Sequence, residues 1–351
     1  MSALGIPGVP TRNLQSSGSA LLSAAAVPDG GRAHRSAART HAGTTPASRT
    51  PARKSEGIFD FEHLHDAVAT LRKKQMFFIG GTIKSGTTWL QLLLDAHPDV
   101  SVKGEGHFFD LLAPVLEMAL DTHDRLITEK NESIFNELEG YPRLTENKAL
   151  YVSACVIAAF LVEQSRHKAA LAVGEKSPDN MLHFAKFHTV FPTAKFIHVV
   201  RDGRDCAVSA WFHNLRTTPQ AAKREFGSVD AFACEFAGHW GQELATAQNF
   251  ANRHPDRVRQ VRYEDVVTNA VPALCELFAF LGVPASLAIV ERCVTEASFA
   301  KLSRGRNPGE EDRGSFFRKG IPGDWRNHLS AETNARFQKH VGGWLNRFGY
   351  G

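Results

Sequence analysis

From residue 56 onward, short apolar runs alternate with longer stretches whose apolar positions recur every three to four residues. "MFFIGG" at 76–81 is continuously apolar and ends in glycine, the pattern of a strand buried on both faces. "TTWLQLLLDAH" (87–97) has helical spacing, and "DVSVKG" (99–104) reads as a second strand. A long, mostly apolar helix is expected over 149–167, a strand over 170–176, and a helix opened by proline over 178–191. "AKFIHVVRD" (194–202) predicts a strand and "RDCAVSAWFHNL" (204–215) the helix behind it. "DRVRQVRYED" (256–265) and "AVPALCELFAFLGV" (270–283) repeat the pair. Strands alternating with helices predict a single α/β domain: a parallel, P-loop-like sheet with helices on both faces.

Residues 1–55 lack this periodicity. They are rich in Ser, Ala, Gly, Pro and Arg, a composition that buries no core, so a disordered extension is expected there and the domain is set at 56–351. An Arg-rich, Ser-rich, acid-poor N-terminus fits an organelle transit peptide as well as a nonspecific extension; without such targeting a cytoplasmic protein is expected. The segment holds six Arg and one Lys against one acid, Asp29, so the net charge of +4 belongs to it and the rest of the chain sums to −2. A body so balanced presents no blanket positive field for nucleic acid. The five cysteines make no C-x-x-C pair, which points to buried thiols and away from a zinc site or disulfide framework. The longest apolar run, 151–162, is shorter than the ~20 residues a bilayer span needs, so no membrane insertion is expected. Oligomeric state leaves no mark in the sequence.

The chemistry starts at "GTIKSGTT". Gly81 and Gly86 have the spacing of a nucleotide phosphate loop, but Thr87 stands where the lysine belongs, and the lysine is Lys84, inside the loop. Backbone amides at a helix start cradle phosphate. A lysine ahead of the second glycine lies nearer the group attached to the first phosphate than to a third one. No magnesium-holding aspartate follows the later strands, so no metal is expected.

"KSGTTW" resembles the motif by which sulfotransferases bind the 5′-phosphosulfate of 3′-phosphoadenosine 5′-phosphosulfate (PAPS). The resemblance assigns that role to Lys84, Ser85, Gly86, Thr87 and Thr88, with Trp89 against adenine. "FIHVVRDGRDCAVSAWFH" is similar to the same family's 3′-phosphate segment and assigns Arg201 and Ser209. "FFRKGIPGDWRNHL" resembles its cofactor-covering loop, bringing Arg318, Lys319 and the Gly320 amide to that phosphate. Tyr263 and Phe299 stand where the family places aromatics around the base, although core packing accounts for Phe299 equally well. Ala297 departs from the threonine many cytosolic members carry.

"GEGHFFD" resembles the segment that carries the catalytic glutamate in glycosaminoglycan and related bacterial sulfotransferases. The K-T-H segment of steroid- and phenol-type members is missing. The resemblance implies Glu105 as base, His107 assisting or acting in its place, and Lys84 at the leaving phosphate oxygen. Lys176 in "GEKSPDN" matches an active-site lysine of the glycosaminoglycan group, or is an ordinary lysine beside a helix start. The implied activity is sulfuryl transfer from PAPS to a hydroxyl, or else an amine, of a carbohydrate or small-molecule acceptor. A P-loop kinase or NTPase, and a non-catalytic nucleotide-binding protein on the same scaffold, remain the alternatives.

Overall fold

The computed structural model describes residues 61–135, 138, 140–143 and 146–351; the expectations for 1–55 fall outside them. In chain order the elements are α1 (Phe61–Leu71), β1 (Gln75–Gly80), α2 (Thr87–Asp95) and β2 (Val100–Gly104). A π-helical turn (Phe108–Leu112) leads into α3 (Ala113–Ser133) and α4 (Glu146–Ser165). Then come β3 (Ala172–Lys176), α5 (Asn180–Val190), β4 (Lys195–Val200), α6 (Gly203–Thr217), α7 (Pro219–Glu225) and α8 (Val229–Arg253). The chain closes with β5 (Val258–Arg262), α9 (Tyr263–Thr268), α10 (Ala270–Leu281), α11 (Leu287–Glu296), α12 (Phe299–Leu302), a 3-10 turn (Asp324–Asn327) and α13 (Ala331–Arg347).

The five strands form one parallel sheet in the order β2-β3-β1-β4-β5. β1 shows why. Its side chains alternate between two buried layers, Met76 and Phe78 on one face and Phe77 and Ile79 on the other. Phe78 stacks on Phe187 of α5 at 3.9 Å between ring centroids, with Phe191 and Phe196 at 5.9 and 6.2 Å. The chain leaves β1 towards β2 and returns past it to β4, so the strand order reverses at β1. Ligands bind at the carboxyl ends of strands at such a switch point.

Every strand and helix expected above is present. Boundaries shift by a few residues; within the expected strand 256–265, β5 stops at Arg262 and Tyr263 opens α9. Helix α8 was not anticipated, although Phe232, Phe236, Trp240 and Leu244 mark one buried face at four-residue intervals and Ser228 caps its start through the Ala231 amide. The expectation of buried thiols is corrected. Cys206 and Cys293 are buried, Cys234 and Cys275 are half-buried, and Cys155 is exposed on α4, where the apolar run faces outward every few residues. Among the described residues, no helix is long and apolar enough to cross a membrane.

Phe78 is fully buried between three other rings, so its truncation leaves a cavity that helix α5 cannot close. Phe78→Ala is expected to lower stability by about 3–5 kcal/mol, read from the urea midpoint at unchanged slope.

Candidate active site

Each of the five strands delivers a site residue from its carboxyl end: the phosphate loop after β1, Glu105 after β2, Lys176 closing β3, Arg201 after β4 and Tyr263 after β5. In the loop, the Gly81 amide donates to the Pro178 carbonyl and the Ser85 amide to that of Thr82. Gly86, with φ +99°, precedes α2. A side-chain carbon there falls 2.4 Å from the Tyr263 ring, so only glycine fits. Ser85 and Thr87 are buried within the loop. Lys84 itself takes a positive φ of 65° and sets its ammonium 4.4 Å above the Phe316 ring. Burial first, then Arg216 and Arg201, bring its pKa from 10.5 down to about 8; Glu105 opposes them.

Beside the loop runs a chain of charge-assisted contacts. Lys176 is 2% exposed and donates to Glu105 Oε1 at 2.5 Å and to Thr88 Oγ1 at 3.0 Å. The second oxygen of Glu105 lies 3.5 Å from His107 Nε2, and His107 Nδ1 lies 2.6 Å from Asp110 Oδ2. Burial disfavours the imidazolium, but the Asp110 hydrogen bond and the charges of Asp110, Glu105 and Asp179 outweigh it and raise the His107 pKa above 6.5. The segment is clamped from below by Glu175, which accepts from the Gly106 amide, the Ser177 hydroxyl and the Asn180 amide group, each at 2.7 Å. The Ser177 hydroxyl in turn takes the His107 amide at 3.3 Å.

A narrow cleft gathers Lys84, Ser209, Arg216, Arg313 and Arg318 around Phe316. Arg318 also bonds Glu311 at 2.6 Å and Asp324 at 2.5 Å. Lys319 donates to Asp324 at 2.6 Å. Asp324 is buried; burial alone favours its neutral form, but the Lys319, Asn327 and Arg318 bonds hold its pKa well below the usual carboxylate range. Asp205 anchors the same loop by accepting from the Gly323 and Trp325 amides at 2.6 and 2.9 Å. Gly320, at φ +70°, is pressed against the Phe299 ring.

Of the residues singled out in the sequence, Lys84, Ser209 and Arg318 share the cleft, while Glu105, Lys176, Thr88 and His107 share the chain of contacts. Two are turned elsewhere. Lys319 is held by Asp324, and the Arg201 guanidinium lies over Tyr263 at 4.4 Å while donating to the Lys84 carbonyl at 3.0 Å. Trp89 stands edge-on to Tyr263 at 5.6 Å and donates to the Ala297 carbonyl at 2.8 Å. That bond uses the backbone, so it survives the departure at position 297. Sequence reasoning missed Arg216, Arg313, Glu175, Asp205 and Asp324. Asp205 and Asp324 sat inside quoted motifs; nothing local marked Arg216 or Arg313.

A family model described as the Sulfotransferase family matches residues 76–286, more than half of the chain, and the chain belongs to that family. It is 26% identical over 185 residues to cytosolic sulfotransferase 3 of Arabidopsis thaliana, covering 47% of this chain and 59% of the relative. It is 31% identical over 239 residues to the protein-tyrosine sulfotransferase of Drosophila melanogaster, covering 66% and 43% respectively. The chain thus spans about half the length of the curated relatives it matches. It is also similar to the crystal structure of a mouse sulfotransferase complexed with PAP, with a TM-score of 0.49 and 18% identity over 82% of this chain and 94% of that one.

The low pKa of Lys84 is a stability statement. The unfolded chain holds that proton up to 10.5 and the folded protein only up to about 8, so the ammonium destabilises the ligand-free protein fully below 8, and the penalty disappears as pH rises to 10.5. Lys84→Met is therefore expected to stabilise the ligand-free protein by about 2 kcal/mol at about pH 7 and by nothing at about pH 10.5. Urea unfolding at both values checks this; a constant difference across the range refutes it.

Proposed function

We propose that this protein transfers the sulfuryl group of PAPS to a hydroxyl of a small-molecule or carbohydrate acceptor, releasing adenosine 3′,5′-bisphosphate. The observation that carries the reading is the convergence of Lys84, unpaired with any carboxylate at contact distance among the described residues, on one side with the Asp110–His107–Glu105–Lys176 chain on the other. In this reading the loop amides and Lys84 hold the 5′-phosphosulfate. The cleft around Ser209 and Arg318, with Arg216 and Arg313, supplies the charge for the 3′-phosphate. Arg201 shapes the loop through its bond to the Lys84 carbonyl, and Trp89, Tyr263 and Phe299 provide the aromatic surface for adenine. PAPS is a co-substrate, and no metal enters the proposed transfer. The domain proposal follows: residues 56–351 are the catalytic unit and 1–55 an extension outside it.

In the transfer step the acceptor oxygen bonds to sulfur as the bond from sulfur to the bridging phosphate oxygen breaks. The acceptor proton passes to Glu105, and Lys84 stabilises the electron pair left on the phosphate oxygen. His107, fixed by Asp110, orients the carboxylate. Lys176 pairs with Glu105 across 2.5 Å and holds the carboxylate beside the loop. A second reading has its own support: the Asp110 bond fixes one imidazole nitrogen and leaves Nε2 facing the centre, the arrangement of a histidine base, while Glu105 is engaged by Lys176. The kinase and NTPase alternative lacks support, because residue 87 is threonine.

Incubation with labelled PAPS and an acceptor panel, read by mass spectrometry for a sulfate adduct, tests the function. Adenosine 3′,5′-bisphosphate is expected to stabilise the protein by about 2.7 kcal/mol at ~100-fold saturation, and AMP by far less, since only the bisphosphate engages both phosphate sites. Glu105→Gln is expected to reduce single-turnover rate by ~10²–10⁴-fold with bisphosphate affinity nearly retained. Near-normal turnover in Glu105→Gln beside a dead His107→Ala assigns the base to histidine. Equal stabilisation by AMP and the bisphosphate removes the cofactor assignment.

A further inference from the structure

Ile83, next to Lys84 in the phosphate loop, faces a second cavity of about 380 Å³. Its polar lining has the opposite sign to the cleft. Asp110, Asp179 and Glu243 line it together with His183 and His239, over apolar walls from Leu182 and Phe236. The volume suits a small organic molecule. Asp110 joins the cavity to the reacting centre, because it holds His107, which lies 3.5 Å from Glu105.

The carboxylates are short of positive charge. Asp110 has His107 as partner, and His107 is the one cation acting on Asp179 among the described residues. No cation among them acts on Glu243. Its Oε2 is buried without a hydrogen-bond partner. Burial, against the Thr82 hydroxyl and aided by Asp179, pushes the Glu243 carboxyl up to about 7. Burial, then Asp110 and Glu105, raises Asp179 as well. His183, on the same wall, is biased towards its neutral form, since burial and then Lys186 lower its pKa against Asp110. Buried carboxylates are kept ionised by a partner. Here the protein offers Glu243 the Thr82 hydroxyl but, among the described residues, no cation, and a ligand-sized cavity stands beside it.

We propose that this cavity holds the acceptor and selects one that carries an ammonium group, seated between Asp179 and Glu243 while its hydroxyl reaches Glu105. The apolar walls take the body of the molecule. An incoming ammonium favours the ionised form of both carboxylates, a pairing not available to a neutral molecule of the same shape. The reacting end rests on the sulfotransferase reading; the cation site does not.

Two probes differ only at the terminal group: tyramine, with an ethylammonium arm, and 4-propylphenol, its neutral counterpart. Their affinities for the full chain with adenosine 3′,5′-bisphosphate are measured by calorimetry, and their kcat/KM with PAPS by mass spectrometry. Tyramine is expected to bind at least about tenfold more tightly. The ratio should fall to about twofold in Glu243→Gln, whose amide has the shape of the protonated acid, and in Asp179→Asn. The bisphosphate-induced thermal shift reports that each variant is folded. Equal affinities in the unaltered protein, or a preference that survives both substitutions, overturns the proposal. So does a tyramine preference abolished by EDTA, which assigns the carboxylates to a metal ion. Selective tyramine binding without sulfation upholds the cation site and refutes the transferase reading; sulfation that favours 4-propylphenol does the reverse.

Discussion

A buried ammonium has to be neutralised where it stands, and the active centre is arranged around that requirement. Lys176 ends a strand flanked on both sides, with almost no access to water. An uncompensated charge there costs several kcal/mol, so a carboxylate must be brought to it. β2, next to β3 in the sheet, brings Glu105 to it. Glu105 is thereby placed beside Thr88 at the start of α2 and within reach of His107. The Glu175 clamp fixes the same turn through the Gly106 amide. Binding the turn to β3 twice, once by charge and once by hydrogen bonds, holds the proposed base still relative to the loop that would carry the sulfuryl donor.

Two fields of opposite sign meet at that loop. Lys84 faces a cleft crowded with guanidinium groups, and Ile83 faces a cavity walled by carboxylates. Burial, reinforced by the guanidinium groups, brings the Lys84 pKa down, and burial with no cation nearby among the described residues pushes that of Glu243 up. In the proposed reading both are relieved by ligands: an anionic cofactor on one side, a cationic acceptor on the other. Functional sites store instability of this kind, which the surrounding sheet and its aromatic layers offset.

The C-terminal loop shows the same economy. Asp324 gathers Arg318, Lys319 and His328, and Asp205 at the first turn of α6 takes the Gly323 and Trp325 amides. The basic residues that close over the cleft are thus positioned by acids that come from the same short motifs. Lys319 is engaged in that network, while Arg318, bonded to Asp324 as well, also lines the cleft together with Arg313.

Local order was legible in the chain. Short apolar runs marked the central strands, that of β1 ending in glycine, and the displaced lysine marked the loop's chemistry before any geometry was known. Helix α8 carries an equally legible four-residue apolar period, with polar residues interleaved along it. Glu105 and Lys176 could each be named from the sequence. Their pairing could not, since they lie far apart in the chain and meet only because β2 and β3 are neighbours in the sheet. The same holds for Asp205 with Trp325 and for Glu243 with Asp179, which join elements no local pattern relates. Residue type and spacing determine which groups a chain owns and which backbone each prefers; strand order and burial decide which of those groups meet, and burial alone sets how strongly their charges are felt.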